Sequence, residues 1–148
     1  MNKEVLVSIK GFLMTEDEGN DDIEFVAPGE YFKRAGDEFI YYEEYQEDGG
    51  KANNLIKISG QTVSIRKRGE MSTDMVFDPE RETQTHYVTP FGNIVLNIKT
   101  HDCNIVHVRG DADPEEEEVL MADIDYRLEV NYSYSSDCNV NIKVTNRI

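Results

Sequence analysis

The chain has 148 residues, of which 39% are apolar and 30% are charged, and its formal net charge is −15. This length predicts a single domain over residues 1–148, large enough to fold without a disulfide or a metal. The negative charge argues against binding to a nucleic-acid backbone or to an anionic membrane surface, because both require clustered Lys and Arg.

The start of the chain, from Met1 to Val5, contains no apolar run long enough for a signal peptide. No other stretch approaches the roughly 20 apolar residues of a membrane-spanning helix. We therefore expect a cytoplasmic protein. In that compartment Cys103 and Cys138 are predicted to be free thiols, although two cysteines far apart in sequence can still meet in a fold.

Extended segments separated by turn-forming residues fill the first half of the chain. β-branched and aromatic residues dominate these segments, and clusters of Gly, Pro, Asn and acidic residues divide them. Ala27-Pro28-Gly29 interrupts one segment, which predicts an edge, a bulge or a barrel corner. Ser59-Gly60 predicts a tight hairpin. The predicted strands cover residues 3–15, 23–26 with 30–34, 38–46, 52–58, 61–68 and 71–77.

Thr89-Pro90-Phe91-Gly92 predicts a type I turn between two strands. Pro90 has a fixed φ and no N–H, and glycine suits the last position of such a turn. After the turn, Ile94, Leu96 and Ile98 share one parity and polar residues occupy the other, which is typical of a strand with one buried face. This strand is predicted to continue, with a bend, to about residue 109.

The clearest alternation lies in residues 122–134. One face holds apolar and tyrosine side chains and the other holds charged and polar ones, which predicts an antiparallel strand with its apolar face inside. Ser135-Ser136-Asp137 is predicted to turn the chain into a last strand, in which Val140, Ile142 and Val144 point inward. The inward residues of the first strand are Ile124, Tyr126, Leu128, Val130, Tyr132 and Tyr134.

Turn signals recur at intervals of roughly 8–12 residues, without a clear helix between them. Asp113-Pro114 followed by Glu116 can begin a helical turn, but at most two turns fit before the strand pattern returns. We therefore predict an all-β fold, a single antiparallel up-and-down β-barrel of about nine or ten strands. A barrel is favoured because closure removes the exposed strand edges.

No motif for catalysis stands out, since nucleophile elbow, P-loop, dinucleotide fingerprint and His-Glu-x-x-His patterns are all missing. His101, Cys103 and His107 share parity on the long strand and can in principle bind zinc, but no second ligand cluster accompanies them. The acidic run Asp111–Glu118 predicts a solvated loop, with calcium as the alternative, although the EF-hand spacing is missing. We predict no cofactor and no metal, and we favour a non-enzymatic role.

Lys67 and three tyrosines are the candidate ligand contacts. Lys67 shares the inward parity of Val63 and Ile65 near a strand end, where a cation can pair with a ligand carboxylate or phosphate. The alternative is a lysine that reaches water or pairs with a nearby Glu. A tyrosine that points inward adds apolar area and one hydroxyl that can orient a ligand, with ordinary core packing as the alternative. These tyrosines are Tyr126, Tyr132 and Tyr134.

Several short motifs resemble the YwiB-like family of small bacterial proteins, a family of unknown function. The resemblance covers nearly the whole chain and implies a calycin-like barrel, similar to lipocalins and fatty-acid-binding proteins. A basic residue is usual in that family two positions before a glycine, and Lys67 holds that place here. The Gly-x-Trp of lipocalins and the Arg-x-Tyr of fatty-acid binders are absent, so fatty-acid binding is not transferred. The motifs are Tyr87-Val88-Thr89-Pro90-Phe91-Gly92 with Leu96 and Thr100, Ile65-Arg66-Lys67-Arg68-Gly69, Met75-Val76-Phe77 and Tyr126-Arg127-Leu128.

Two hypotheses about function follow. The first is that the barrel lumen binds a small apolar or amphipathic molecule, contacted by Lys67 and the inward tyrosines, in a monomer or homodimer. The alternative is a cytoplasmic protein–protein interaction module with a filled core, whose acidic loop around Glu115 to Glu118 contacts a partner. An enzyme requires a polar cleft where a histidine or carboxylate meets a second titratable group, and the sequence shows no such set.

Overall fold

The fold is that of a computed structural model, which describes residues 3–11, 24–45, 49–69, 72–89, 92–107 and 118–146. All of the regular structure in these segments is β-strand. The strands are β1 (Lys3–Lys10), β2 (Glu24–Arg34), β3 (Asp37–Tyr45), β4 (Lys51–Ser59), β5 (Thr62–Arg68), β6 (Thr73–Phe77), β7 (Thr83–Thr89), β8 (Gly92–Val106), β9 (Glu118–Val130) and β10 (Tyr134–Asn146).

The ten strands form one antiparallel sheet in the order β6-β5-β4-β3-β2-β1-β10-β9-β8-β7. Strands that follow one another along the chain pair with one another, except at β6 and β7, and β1 pairs with β10 so that Val5 lies opposite Asn146. The sheet curls into a nearly closed barrel. The predicted all-β, antiparallel up-and-down barrel is therefore confirmed, with ten strands.

The barrel has one seam, between β6 and β7, where the described residues show no ladder of backbone hydrogen bonds. Thr83 on β7 donates a hydrogen bond from Oγ1 to the carbonyl oxygen of Val76 on β6, at 2.5 Å. A side chain thus bridges the two strands where the backbone does not. Within the described segments, no helix has the length and apolar character to cross a membrane.

Alternation along each strand builds the core, because successive side chains point to opposite faces of a sheet. On β4, Asn54, Ile56 and Ile58 are buried, and the residues between them are exposed or half-buried. Phe77 on β6 and Tyr126 on β9 meet edge to face in the interior, with ring centroids 4.8 Å apart. Burial of each such apolar side chain stabilises the fold by about 1.5–3 kcal/mol.

The two ends of the barrel differ in what they carry, so we name them. The upper end is the one at which β1, β3, β5, β7 and β9 finish, and the lower end is the one at which these strands begin. β1 finishes at Lys10, and Gly11 adopts a φ of 88°, in the left-handed region that favours glycine. The predicted type I turn at Pro90 and Phe91 and the predicted helical turn at residues 113–116 lie outside the described residues.

The β9–β10 hairpin lies earlier in the chain than predicted. β9 ends at Val130, and Asn131 and Tyr132 in the following turn have positive φ values of 50° and 60°. The N–H of Ser133 donates to the carbonyl oxygen of Val130 at 3.1 Å, which closes the turn. The turn predicted at Ser135-Ser136-Asp137 is therefore wrong, and those residues lie within β10.

The long bent strand predicted after residue 92 is confirmed as β8. The register between β8 and β9 shifts between Thr100 and Asp102, so His101 is the extra residue of a β-bulge. A bulge reverses the parity of every residue that follows it. Thr100 and Cys103 are consequently both buried, although they are three positions apart and would lie on opposite faces of a regular strand.

The hydrogen bond from Thr83 to Val76 makes the seam between β6 and β7 testable. Thr83→Val removes the donor with little change in volume, and we expect the free energy of unfolding in urea to fall by about 1 kcal/mol. Thr85→Val, two residues along the same strand and also half-buried, is the matched control. An equal loss in both variants would contradict a role for this bond in closing the barrel.

Candidate ligand-binding site

β2 and β3 pair only along their lower halves. Their ladder runs from Gly29 opposite Tyr42 to Arg34 opposite Asp37 and does not extend to the residues nearer the upper end. Gly29 fits only because it lacks a side chain, since a Cβ there would lie 2.6 Å from the carbonyl oxygen of Tyr41. The irregularity predicted at Ala27-Pro28-Gly29 is thus the point at which the two strands separate.

A pocket of about 520 Å³ lies where β2 and β3 separate. Residues from both faces of the sheet line it, as expected where two strands part. Phe25 and Tyr42 belong to the inward face, and their rings meet at a centroid distance of 5.7 Å. Val26 and Tyr45 belong to the outward face and are 55% and 75% exposed. The full lining is Glu4, Phe25, Val26, Ala27, Pro28, Gly29, Glu30, Tyr41, Tyr42, Glu43 and Tyr45.

The charged groups of the pocket lining are all carboxylates, those of Glu4, Glu30 and Glu43. Glu43 accepts a hydrogen bond from the hydroxyl of Tyr45 at 3.2 Å and forms an ion pair with Lys51 at 3.3 Å. The described lining therefore contributes three carboxylates and no cationic side chain. Such a pocket favours neutral or positively charged molecules over anionic ones.

Polar side chains form a row on the inner face near the upper end. Tyr42, Asn54, Lys67 and Thr73 lie opposite one another across β3, β4, β5 and β6. Asn54 is 2% exposed, and its Nδ2 has no hydrogen-bond partner in the described part of the structure. Burial, and then the charge of Glu44, raises the pKa of Tyr42 above its usual range. This row adjoins the pocket, because Tyr42 belongs to both.

Lys67 points inward near the upper end, as predicted from its parity. Its Nζ lies 3.4 Å from Oε2 of Glu44 on β3, and both side chains are about one-third exposed. The neighbouring Arg66 and Arg68 point outward and pair with Asp74 at 3.4 Å and 3.0 Å. The hydrogen bond from Arg68 is the main reason why the pKa of Asp74 is lowered. The basic run in the sequence is therefore neutralised by nearby carboxylates, and a ligand contact at Lys67 stays a prediction.

The three predicted tyrosines do not come together. Tyr126 is buried on the inner face of β9 against Phe77, and burial is the main cause that raises its pKa. Tyr132 is 67% exposed in the β9–β10 turn, where its hydroxyl accepts a hydrogen bond from Nε2 of Gln84 at 2.7 Å. The predicted inward orientation of Tyr132 is wrong because the strand ends at Val130. The side chain of Tyr134 lies outside the described part.

The His101, Cys103 and His107 set does not share one face. His101 is exposed, as alternation from the buried Thr100 requires, and the register shift after it places Cys103 on the buried face. His107 lies just beyond the end of β8, where its ring contacts the carboxylate of Glu38. The described residues contain no group of His, Cys, Asp and Glu that could hold a metal ion. Of the acidic run Asp111–Glu118, residues 111–117 lie outside the described segments.

A second polar cluster, missed by the sequence reasoning, lies at the lower end. Glu38 is 6% exposed on the inner face of β3, and its Oε1 accepts a hydrogen bond from the hydroxyl of Tyr31. Its Oε2 lies 2.7 Å from Nε2 of His107. Burial, and then the bond to Glu38, raises the pKa of Tyr31. Here a carboxylate, a histidine and a tyrosine do converge.

A signal for both missed residues was present in the sequence. Glu38 shares parity with Ile40 and Tyr42, and Asn54 shares parity with Ile56 and Ile58. A polar residue on an apolar face is either satisfied by a partner or available to a ligand. Glu38 has partners from β2 and from the end of β8, whereas Nδ2 of Asn54 has none among the described residues.

The structure defines a class of protein: small, nearly closed, ten-stranded antiparallel β-barrels of up-and-down topology. Within that class the chain belongs to the family described as Domain of unknown function (DUF1934), whose model matches residues 7–142. The resemblance to YwiB-like proteins is thereby confirmed.

Two comparisons with individual proteins agree with this family. The chain is 27% identical over 124 residues to the uncharacterized beta-barrel protein YwiB of Bacillus subtilis (strain 168), covering 82% of each chain. It is also similar to the crystal structure of the YwiB protein from Bacillus subtilis, with a TM-score of 0.70 and 21% identity. That likeness covers 99% of this chain and 94% of the other, and it shows the fold alone.

The bond between Tyr31 and Glu38 is predicted to stabilise the lower end of the barrel. Tyr31→Phe removes the hydroxyl and leaves a buried carboxyl oxygen without its donor, so we expect a loss of about 1–2 kcal/mol in the free energy of unfolding. Tyr41→Phe is the control, since the hydroxyl of Tyr41 donates to Asn53 at an exposed position. Equal losses in urea denaturation would contradict this role.

The thiol of Cys103 is predicted to make the fold less stable in alkaline solution. Burial, and then the charge of Asp102, raises its pKa from 9.0 to about 11. The unfolded thiol therefore releases its proton before the folded one, and stability falls as the pH rises from about 9 to 11. In Cys103→Val, the free energy of unfolding in urea should fall less steeply with pH across that range. The difference in slope should correspond to at most about one proton. An unchanged pH dependence of the unfolding free energy would contradict the raised pKa of Cys103.

Proposed function

We propose that this protein binds a small, partly apolar molecule at the opening between β2 and β3. The observation that carries the proposal is the pocket of about 520 Å³ at the separated ends of these strands. Its volume lies within the roughly 300–1,000 Å³ of small-molecule sites. Its lining, aromatic with a few polar groups, is also typical of such sites.

The position of the pocket explains how a ligand can reach the interior of a barrel whose core is well packed. Phe25 and Tyr42 face the lumen, whereas Val26 and Tyr45 face the outside, and all four line the same pocket. A ligand there covers exposed apolar surface and contacts inward rings. This site differs from the one proposed from the sequence, because none of Lys67, Tyr126 and Tyr132 lines the pocket.

The carboxylates of Glu4, Glu30 and Glu43 restrict the class of ligand. They disfavour an anionic ligand, and together with a net charge of −15 they repel anions before contact. This agrees with the absence of fatty-acid-binding motifs from the sequence. The proposal therefore concerns neutral or cationic molecules with an apolar part, in a protein that we take to be cytoplasmic.

Val26→Arg tests the proposal, because it places a long charged side chain in the pocket from an exposed position. Native mass spectrometry of freshly purified protein should show an added mass that disappears on denaturation. In Val26→Arg the affinity should fall by about tenfold, equivalent to roughly 1.4 kcal/mol, and the added mass should be correspondingly weaker.

Val106→Arg is the matched control, since Val106 is 48% exposed on β8 and does not line the pocket. The added mass should persist in this variant. A wild-type protein that shows only the mass of the chain, or an adduct that survives both substitutions equally, would overturn the proposal. The alternative function as a protein interaction module would then be favoured, because Val26 and Tyr45 would remain exposed without a ligand to cover them.

A further inference from the structure

We infer that Asn54 binds an uncharged hydrogen-bond acceptor of the ligand, such as the carbonyl oxygen of an amide, ketone or ester. The inference rests on the proposed function and names the head group that the bound molecule carries. The subsite consists of Tyr42, Asn54, Glu44 and Lys67, on the inner face next to the pocket.

The first observation is the unpaired donor. Nδ2 of Asn54 is shielded from water and has no hydrogen-bond partner among the described residues, although its side chain lies in an otherwise apolar column of β4. A buried donor without an acceptor destabilises a fold, whereas an apolar residue of similar shape does not. A ligand that supplies the acceptor removes this penalty. The free energy lost by the unpaired Nδ2 of Asn54 in the free protein is therefore regained when the ligand binds.

The second observation is the arrangement around Asn54. On one side its cross-strand neighbour is Tyr42, which forms part of the pocket wall. On the other side the neighbour is Lys67, whose ammonium reaches across to Glu44. Glu44 lies opposite Ala52 and Lys67 lies opposite Asn54, so this ion pair crosses the inner side of β4 on the upper-end side of Asn54. Asn54 does not itself line the pocket, so a ligand that enters there reaches it past the ring of Tyr42.

The charges of the subsite decide the kind of acceptor. The ammonium of Lys67 is compensated by Glu44 at 3.4 Å, and the pocket lining adds three further carboxylates. A ligand carboxylate would meet this negative surface, and a ligand amine would place a donor against the donor of Asn54. A neutral carbonyl satisfies Nδ2 of Asn54 and avoids both conflicts.

The experiment compares three probes that differ only in the head group: hexanamide, hexanoate and hexylamine. Their dissociation constants are measured by NMR titration against the wild-type protein and against Asn54→Leu. We expect hexanamide to bind about tenfold more tightly than hexanoate and hexylamine, and Asn54→Leu to abolish this preference. Asn104→Leu, at an exposed position on β8 that does not line the pocket, should leave the preference unchanged.

A second measurement on the ligand-free protein keeps the test independent of any probe. Asn54→Leu should raise the thermal unfolding midpoint or leave it unchanged, because the unpaired donor is gone. A lowered midpoint would show that Nδ2 is satisfied in the free protein and would overturn the inference.

The outcomes separate this inference from the proposed function. If all three probes bind equally and Val26→Arg abolishes their binding, the pocket binds ligands but Asn54 does not select the head group. If a preference for the amide survives in Asn54→Leu, another group selects it and the inference is overturned. If no probe binds the wild-type protein and no added mass is seen on it, both proposals fail.

Discussion

The antiparallel hydrogen-bond ladder holds the inward side chains of this barrel in place, and two gaps in it bear on stability and on the proposed site. One interruption is the seam between β6 and β7, which the hydroxyl of Thr83 bridges. The other is the upper half of the β2–β3 pair, above Gly29. The described β2–β3 pairs do not continue past Gly29, and aromatic rings and carboxylates surround this second gap. The pocket is therefore a consequence of where the ladder ends.

Polar groups inside the barrel show the same contrast between satisfied and unsatisfied positions. At the lower end, Glu38 accepts from Tyr31 and contacts His107, so its burial is balanced by partners from two other elements. Near the upper end, Nδ2 of Asn54 is as deeply buried and has no described partner. The first arrangement stabilises the fold. The second is maintained at a cost to stability, and the proposed ligand site lies beside it.

Most of the architecture followed from the sequence, because period-two alternation fixes both the strand and the face that it buries. Alternation failed where local geometry resets the parity. The bulge at His101 could not be read from residue types, and it separates a set of side chains that simple counting places together. The hairpin at Asn131 and Tyr132 was missed because a run of Ser and Asp nearby gave a stronger turn signal than a single Asn.

The site was harder to predict than the fold, since it depends on which strands are neighbours. Lys67 and Glu44 are brought together only by the pairing of β3, β4 and β5, and Glu38 and His107 only by the closure of the barrel. Asn54 and Glu38, each a polar residue on an apolar face, were the local signals, and their meaning depended on whether a partner existed. Pairing of this kind is a property of the assembled sheet rather than of any segment.

The pairing of β1 with β10 has a consequence for how the chain folds. Val5 and Asn146 lie side by side in the sheet, so a contact between residues near opposite ends of the chain must form before the barrel can close. Such long-range contacts raise the contact order, and proteins with high contact order fold slowly, in about milliseconds to seconds. During synthesis on the ribosome, the edge of β1 stays unpaired until β10 has emerged. A chaperone that shields this edge would have its effect in that interval.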